Sequence, residues 1–426
     1  MEIRWGVIRE EKHMRTKSWR IQSVQTIIVC MISFMLFNFL TTVSLNIFIP
    51  AVAEMKGMSS STLYHANTIG NLISVIFALS VGVISKKFSL KTLTVLGLFI
   101  GGISYILIPL VPAWMTGIFI ATNYIATMFY AQITVGARIG NWYPKRKGEI
   151  LGIVTSVIIV SSLVWLPLFS KASSRFGIAH AMMFVGILVI LLAVAGIFVI
   201  HDTPESVGLF PENGNLEAET KVSVAAQTEW TYKELLKKPR FVLFSVGWGL
   251  SMPGMMGLSV AIIPIMVSKG LSSEQAVLVA TFAGGFQLLG SIVSGFMDTR
   301  IGQRFVVTLF IILEIGGLAV FGLAPKGWVA VMVIGYYVVM FMMGAPNNLQ
   351  PSSYLTMAGG GGSIYMMFYS LATAIASIFR ATASSVLAFS TSRFGGNYTF
   401  AMIVFLVESI VAVILLNTCG FKKIEK

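Results

Sequence analysis

Gly295-Phe296-Met297-Asp298-Thr299-Arg300-Ile301-Gly302-Gln303-Arg304 is a short polar turn between two long apolar runs. The same spacing of small, polar and basic residues recurs at Gly82, Ser85, Lys87, Ser89 and Lys91, again between apolar runs. Gly295, Asp298, Arg300, Gly302 and Arg304 each stand 213 positions beyond their counterparts, half the length of the 426-residue chain. A repeat of this length, built from apolar segments, marks a chain made of two related membrane bundles.

The composition agrees. Hydrophobic residues make up 56% of the chain and charged residues 11%, against roughly 25% charged in soluble domains. Twelve apolar segments follow one another: 25–51, 64–85, 90–111, 113–139, 150–170, 178–200, 241–267, 275–297, 305–323, 328–345, 363–390 and 398–418. Each is long enough to cross a bilayer. Residues 1–24 form a basic N-terminal tail, with Trp5 and Trp19 suited to the headgroup level. Residues 201–240 are the one long hydrophilic stretch, a tether between a bundle at 25–200 and a second at 241–420, before a short tail at 421–426. Within it, Thr231 and Glu234 have capping-box spacing. They predict a short helix with Trp230, Leu235 and Leu236 on the membrane surface.

The formal net charge is +13, and its placement sets topology. Lys86, Lys87, Lys91, Lys145, Arg146, Lys147, Arg300, Arg304 and both tails fall on one side. Only Lys56, Lys171, Arg175, Lys269, Lys326 and Arg393 fall on the other. The positive-inside rule makes both termini cytoplasmic and the protein a multi-pass component of the cell membrane. The same placement argues against nucleic acid as a partner, because the basic residues sit in loops rather than on one folded surface. Cys30 and Cys419 lie in or beside apolar segments and give neither a disulfide framework nor a metal spacing. His13, His65, His180 and His201 fall in loops or at segment ends, with no zinc-protease motif or catalytic triad around them. The sequence therefore points away from an enzyme and requires no cofactor or metal.

Residues 295–304 resemble the signature loop of the major facilitator superfamily, and the 6+6 division and repeat extend the resemblance over nearly the whole chain. The fold implied is all-α, with twelve transmembrane helices in two pseudo-symmetric six-helix bundles. Segments 3, 6, 9 and 12 would form an outer scaffold and the other eight would surround a central path. The first-half loop departs from the pattern, with Ser85 in place of the acid and Ser89 in place of the second glycine. Asn141-Trp142-Tyr143-Pro144-Lys145-Arg146-Lys147-Gly148 is similar to the loop of the oxalate/formate antiporter and monocarboxylate-carrier branch. So are Thr203-Pro204-Glu205, Gly208-Leu209-Phe210-Pro211 and Lys238-Pro239-Arg240-Phe241. The Gly-Pro pair of drug antiporters is missing between Gly152 and Trp165.

Helical polar stripes test which segments line the path. Segment 11 carries Tyr365, Tyr369, Thr373, Ser377, Arg380 and Ser384 on one face. Segment 4 has Asn123, Thr127, Tyr130, Thr134 and Arg138; segment 1 has Asn38, Thr42 and Asn46; segment 2 has Asn67, Asn71 and Ser74. Segment 7 offers Ser245, Trp248, Met252, Met255 and Ser259; segment 8 offers Gln287, Ser291 and Ser294; segment 10 offers Tyr336, Met340, Met343 and Asn347. Small polar residues also join helices across packed interfaces, so each stripe has a structural alternative.

Arg380 is the one cation well inside the membrane. A guanidinium matches a carboxylate bidentately and stays charged, so Arg380 is expected to bind a small organic monoanion. Tyr365, Tyr369, Thr373, Ser377, Gln287, Trp248, Asn123, Tyr130 and Asn38 would complete the substrate site. The alternative is a structural ion pair with Glu314 or Glu408, the two acids inside segments 9 and 12; either acid could instead carry a proton. Asp298, Arg300, Arg304, Arg138 and Glu149 are expected as gating or structural charges, with Arg138 and Glu149 in one inner network. The function expected is secondary active transport of a monocarboxylate by alternating access, as symporter or antiporter coupled to a proton or counter-anion, in a monomer. The four glycines 359–362 would let segment 11 swing. Two other readings stand beside it: an exporter of hydrophobic compounds, and a transport-inactive membrane sensor favoured by the altered first-half loop.

Overall fold

A computed structural model describes residues 2–58, 60–213, 230–325, 327–380, 382–395 and 397–425. The side chains of residues 1–17, Asn46, His65, Asn67 and Ser384, and all of Lys326 and of 214–229, lie outside the described residues. The described chain is helical throughout its apolar segments. Lipid offers no hydrogen bonds, so each crossing must satisfy its backbone within itself.

Segment 1 comprises Glu2–Asn38, a π turn at Phe39–Val43 and Leu45–Met55. Its helix begins at Glu2, so residues expected as a tail continue the spanning helix. Segments 2 and 3 are Ser60–Ile84 and Leu90–Leu110. Segment 4 runs Ala113–Thr127, a π turn at Met128–Gln132, then Thr134–Trp142. Segments 5 and 6 are Lys147–Phe176 and Ile178–Val199. In the second half, segment 7 is Pro239–Leu250 plus Pro253–Ser268, and segments 8 and 9 are Ser273–Arg300 and Gln303–Leu323. Segment 10 is Val329–Met343 plus Pro346–Ala358, one helical stretch longer than expected. Segment 11 is Gly362–Arg380 and Thr382–Arg393, and segment 12 is Thr399–Cys419. Ten of these are long and apolar enough to span by themselves, and segments 2 and 5 complete the twelve.

The repeat holds in three dimensions. The break in segment 1 begins after Asn38 and that in segment 7 after Leu250, and both segments end at a Lys-Gly pair, Lys56-Gly57 and Lys269-Gly270. The Lys56 ammonium donates to the carbonyls of Ile108 and Val111 at the end of segment 3. That of Lys269 donates to Phe321, Gly322 and Ala324 at the end of segment 9. Ile108, Val111 and Lys56 are offset by 213 from Phe321, Ala324 and Lys269. A helix C-terminus leaves carbonyls unpaired and carries partial negative charge, so a cation there satisfies both.

The breaks are closed by side chains. In segment 4, Asn123 Nδ2 donates to Leu40 O at 3.1 Å and the Tyr124 hydroxyl to Thr41 O at 2.6 Å. Both carbonyls belong to the π turn of segment 1. Pro253 and Pro346 begin the outer half of segment 7 and the second half of segment 10, where a missing N–H costs nothing.

Segments 3 and 6 pack together, as do 9 and 12, each at the edge of its bundle. Segment 6 turns Phe184, Leu191 and Phe198 outward. The heaviest contacts between bundles are segment 5 with 8 and segment 2 with 11. The outer parts of segments 1 and 7 (Leu45–Met55 and Pro253–Ser268) make their principal contacts within their own bundle.

Lys269→Met should lower the thermal unfolding midpoint in detergent, at a cost of about 2 kcal/mol for the lost charge-assisted bonds. Lys56→Met should add to it independently, since the two caps lie in different bundles.

Candidate functional site

The two bundles meet at the end that carries the basic loops. Glycine makes this possible because it lets backbones approach closely. A Cβ at Gly148, in the first turn of segment 5, would fall 2.1 Å from Asp298 Oδ2. At Gly152 it would fall 2.8 Å from Ser291 O, and at Gly136 of segment 4 it would fall 2.1 Å from the Tyr365 hydroxyl. Asp298 therefore packs against the N-terminus of segment 5 across the interface, where a helix favours negative charge. Ser352 Oγ donates to Asp298 Oδ2 at 2.6 Å and accepts from Gln303 Nε2 at 2.9 Å. Glu149 N donates to Thr299 Oγ1 at 3.0 Å, and Thr155 and Ser291 share a hydroxyl bond at 2.9 Å. Lys147 Nζ reaches Thr356 Oγ1 at 2.5 Å. Burial pushes the Lys147 ammonium down to about 8, against the opposing pull of Asp298.

The linker is part of this closure. The Thr231–Glu234 capping box forms, and the helix Tyr232–Leu236 follows it. Trp230 and Leu235 are buried in the protein rather than laid on the membrane. Trp230 packs edge-on to Phe368 of segment 11, and the Tyr232 hydroxyl bonds both Leu79 O and Ser370 Oγ. The described parts of the linker are thus a clamp across segments 2 and 11, not a plain tether. The glycine run is also tight: a Cβ at Gly361 would fall 2.5 Å from Ala137 O. It packs against segment 4 and gives segment 11 no room to swing in this state.

The expected site residues separate into groups. Asn38 Nδ2 donates to Ile158 O of segment 5, and Asn123 serves the π turn of segment 1. Tyr130 is fully buried against Gly101. Trp248 borders a small closed void within the second bundle, with Val307 and Pro346. Tyr365 and Tyr369 stack at 5.3 Å, with Tyr365 sealed on Gly136. These are packing positions in this arrangement, closed at the basic end. Gln287 is half-buried.

Above that floor, segment 11 opens. Thr373 Oγ1 is buried without a partner, Ser377 is half-buried, and Arg380 is half-buried with an unpartnered buried Nε. Segment 2 meets segment 11 at Gly82, beside Met367 and Ser370. At 1.5 Å per residue, Asn71 and Arg380 lie at comparable depth, about 16 Å outward from that crossing. Asn71 is exposed.

Two charge expectations are corrected. Arg380 forms no ion pair with Glu314 or Glu408: the one salt bridge among the described residues is Arg146–Glu149. Glu314 is fully buried and accepts from Ser409 Oγ at 3.3 Å, with Oε2 unpartnered; Glu408 Oε2 is also unpartnered. Arg138 and Glu149 are not partners either. Arg138 is buried inside the first bundle and donates to Thr94 Oγ1 at 2.9 Å. Glu149 takes Arg146 instead, which holds its carboxyl below the usual range. Arg304 donates to Asn417, and Arg300 lies over the Phe296 ring, 5.7 Å from its centre. Gly136, Thr356 and Tyr232 carried no sequence signal, and Lys147 and Gly148 read only as parts of a basic loop.

Residues 29–377 match the family model described as Major Facilitator Superfamily, and the chain belongs to that family. Its fold is shared with the E. coli fucose:proton symporter FucP (TM-score 0.70, 11% identity, 94% of this chain and 99% of that one). A second FucP structure, described as in the outward conformation, gives 0.69 and 12% over 93% and 99%. The proton:xylose symporter XylE bound to 6-bromo-6-deoxy-D-glucose gives 0.67 and 16%, over 93% and 95%. No curated protein sequence matches the chain.

Gly148→Val should prevent the closed arrangement. Thr155→Cys, buried in this state, should then react with a thiol reagent that it resists in the parent. Lys147 adds a pH dependence. Its closed-state value lies below the ordinary 10.5, so closure releases a proton. The closed population should rise with pH from about 8 towards 10, at most tenfold per unit. Spin-label distances across the basic end should report this, and Lys147→Met should flatten it.

Proposed function

We propose that this transporter moves a small organic anion, with Arg380 taking the carboxylate. The observation that carries this reading is a guanidinium inside segment 11 with no carboxylate partner among the described residues and a buried, unpartnered Nε. An uncompensated charge at that depth costs roughly 2.5–3.5 kcal/mol or more, and an anionic substrate offsets it. Thr373, Ser377 and Asn71 would supply neutral hydrogen bonds around the same opening. The closed basic end and the self-contained outer halves of segments 1 and 7 correspond to a state open on the opposite side. Substrate would enter there, and the bundles would rock about segments 5/8 and 2/11 to release it.

A neutral hydroxylated solute is the second reading. Asn71, Thr373, Ser377 and Gln287 favour it, and the FucP and XylE structures are described as sugar symporters. Proteoliposomes should accumulate a radiolabelled monocarboxylate, and Arg380→Ala should cut that flux by about tenfold or more, as expected for loss of a charged hydrogen bond. Flux of an uncharged sugar that is insensitive to Arg380→Ala would favour the second reading. Efflux of a hydrophobic dye with the same insensitivity would favour an exporter.

A further inference from the structure

We propose, on the reading of the chain as a secondary transporter, that Glu314 binds the coupling proton and that the break in segment 7 responds to its charge. Glu314 lies at the middle of segment 9 and is fully buried. Its Oε1 accepts from Ser409 Oγ at 3.3 Å, and its Oε2 has no partner. An ionised carboxylate in such surroundings is the form most heavily penalised. The neutral acid fits them, with Oε1 accepting as the carbonyl oxygen and the proton on Oε2.

No cation compensates it from the neighbouring helices. Segment 7 carries no titratable side chain between Arg240 and Lys269, and segment 12 carries only Glu408 between Tyr398 and Cys419. Lys269 is held at the outer end by three carbonyls. Segment 10 presents Tyr336 and Tyr337, which lie against Phe321 and Phe286. Among the described residues neither Arg304 of segment 9 nor Arg380 of segment 11 forms an ion pair with it.

The internal repeat separates this acid from the needs of packing. At an offset of 213, Glu314 corresponds to Gly101 and Ser409 to Gly196. Both members of the hydrogen bond thus belong to the second bundle alone. The breaks differ in the same way. In the first bundle Asn123 and Tyr124 close the π turn of segment 1. Their counterparts are Tyr336 and Tyr337, which are engaged elsewhere. No side chain caps the outer half of segment 7, Pro253–Ser268.

Glu314 faces that uncapped turn. A Cβ at Gly254 would stand 3.4 Å from Glu314 Oε1. First-turn amides have no carbonyl partner within their own helix, and a helix N-terminus favours negative charge. An ionised Glu314 would therefore draw the first turn of Pro253–Ser268 towards segment 9, and proton binding would release it. A small closed void lined by Ser251, Met255, Phe310 and Ile311 leaves room for that shift. The inner half of segment 7 carries the shift to the substrate cation. A Cβ at Gly249 would fall 2.8 Å from Phe379, the residue before Arg380.

Infrared difference spectra of the purified protein in nanodiscs, recorded against pH without substrate, should contain a carboxylic C=O band that Glu314→Gln removes. Ser409→Ala should move that band to higher frequency, because the carbonyl loses its donor, and Glu408→Gln should leave it in place. A band that persists in Glu314→Gln, or that Glu408→Gln removes, would overturn the site. Hydrogen exchange at residues 254–257, corrected for the intrinsic rate, should slow as Glu314 ionises and be independent of pH in Glu314→Gln. The same pH dependence in both proteins would overturn the link to segment 7. In proteoliposomes a one-unit pH gradient should accumulate labelled lactate about tenfold for one coupled proton. Glu314→Gln should exchange lactate within about threefold of the parent yet accumulate none; accumulation that survives the substitution would overturn the coupling. Absence of lactate flux in the parent would instead strike the monocarboxylate reading, since the infrared and exchange measurements test Glu314 without substrate.

Discussion

The two bundles meet backbone against side chain at Gly148 and Asp298, and the rest of the molecule's state follows from it. A carboxylate from segment 8 sits where any Cβ on segment 5 would stand. The Ser352 hydroxyl holds it there, beside the N-terminus of segment 5, where a helix favours negative charge. With that contact made, Tyr365 closes on Gly136, Gly361 on segment 4, and the linker helix under segments 2 and 11. The basic end is shut by many short contacts, and segment 11 is packed on all sides below Thr373. From that level outward it presents the unpartnered Thr373 hydroxyl and Arg380 Nε.

The two halves share a backbone plan and differ in chemistry. Lys56 and Lys269 cap scaffold helices in the same way, at positions related by the same offset. These caps tie the outer ends of segments 1 and 7 to their own bundles. Rocking of whole bundles fits this better than bending of single helices. Where the halves depart from each other, the departures involve charge. Gly101 in segment 3 corresponds to Glu314 in segment 9, and Ser85 to Asp298. Asp298 serves the interface, whereas its counterpart Ser85 only turns back to Gly82 O at 2.9 Å.

Much of this was legible in the residues. Apolar length gave the twelve crossings, because the membrane imposes a single period and a single solvent for each. The offset of 213 between Gly82 and Gly295 extends to helix breaks and capping lysines that no motif includes. The Thr231–Glu234 box formed as expected because it needs only local hydrogen bonds. Its setting was misjudged: Trp230 and Leu235 read as membrane-facing, since a short amphipathic helix has the same pattern whether lipid or protein covers it.

The candidate site was legible only in outline. Arg380 stands out in any reading of the sequence, because one charge in an apolar helix needs an explanation. A polar stripe, however, does not say which neighbour it faces. Asn38, Asn123 and Tyr130 have the spacing of path-lining residues, yet they join helices within a bundle and close a π turn. Sequence alone determined the helices, their number, their repeat and the rarity of Arg380, since these depend on local periodicity and hydrophobicity. Only tertiary structure decided that Arg380 has no acid partner among the described residues and that Asp298 packs on the helix N-terminus of the other bundle. Those outcomes depend on distances between segments far apart in the chain, which no local pattern encodes.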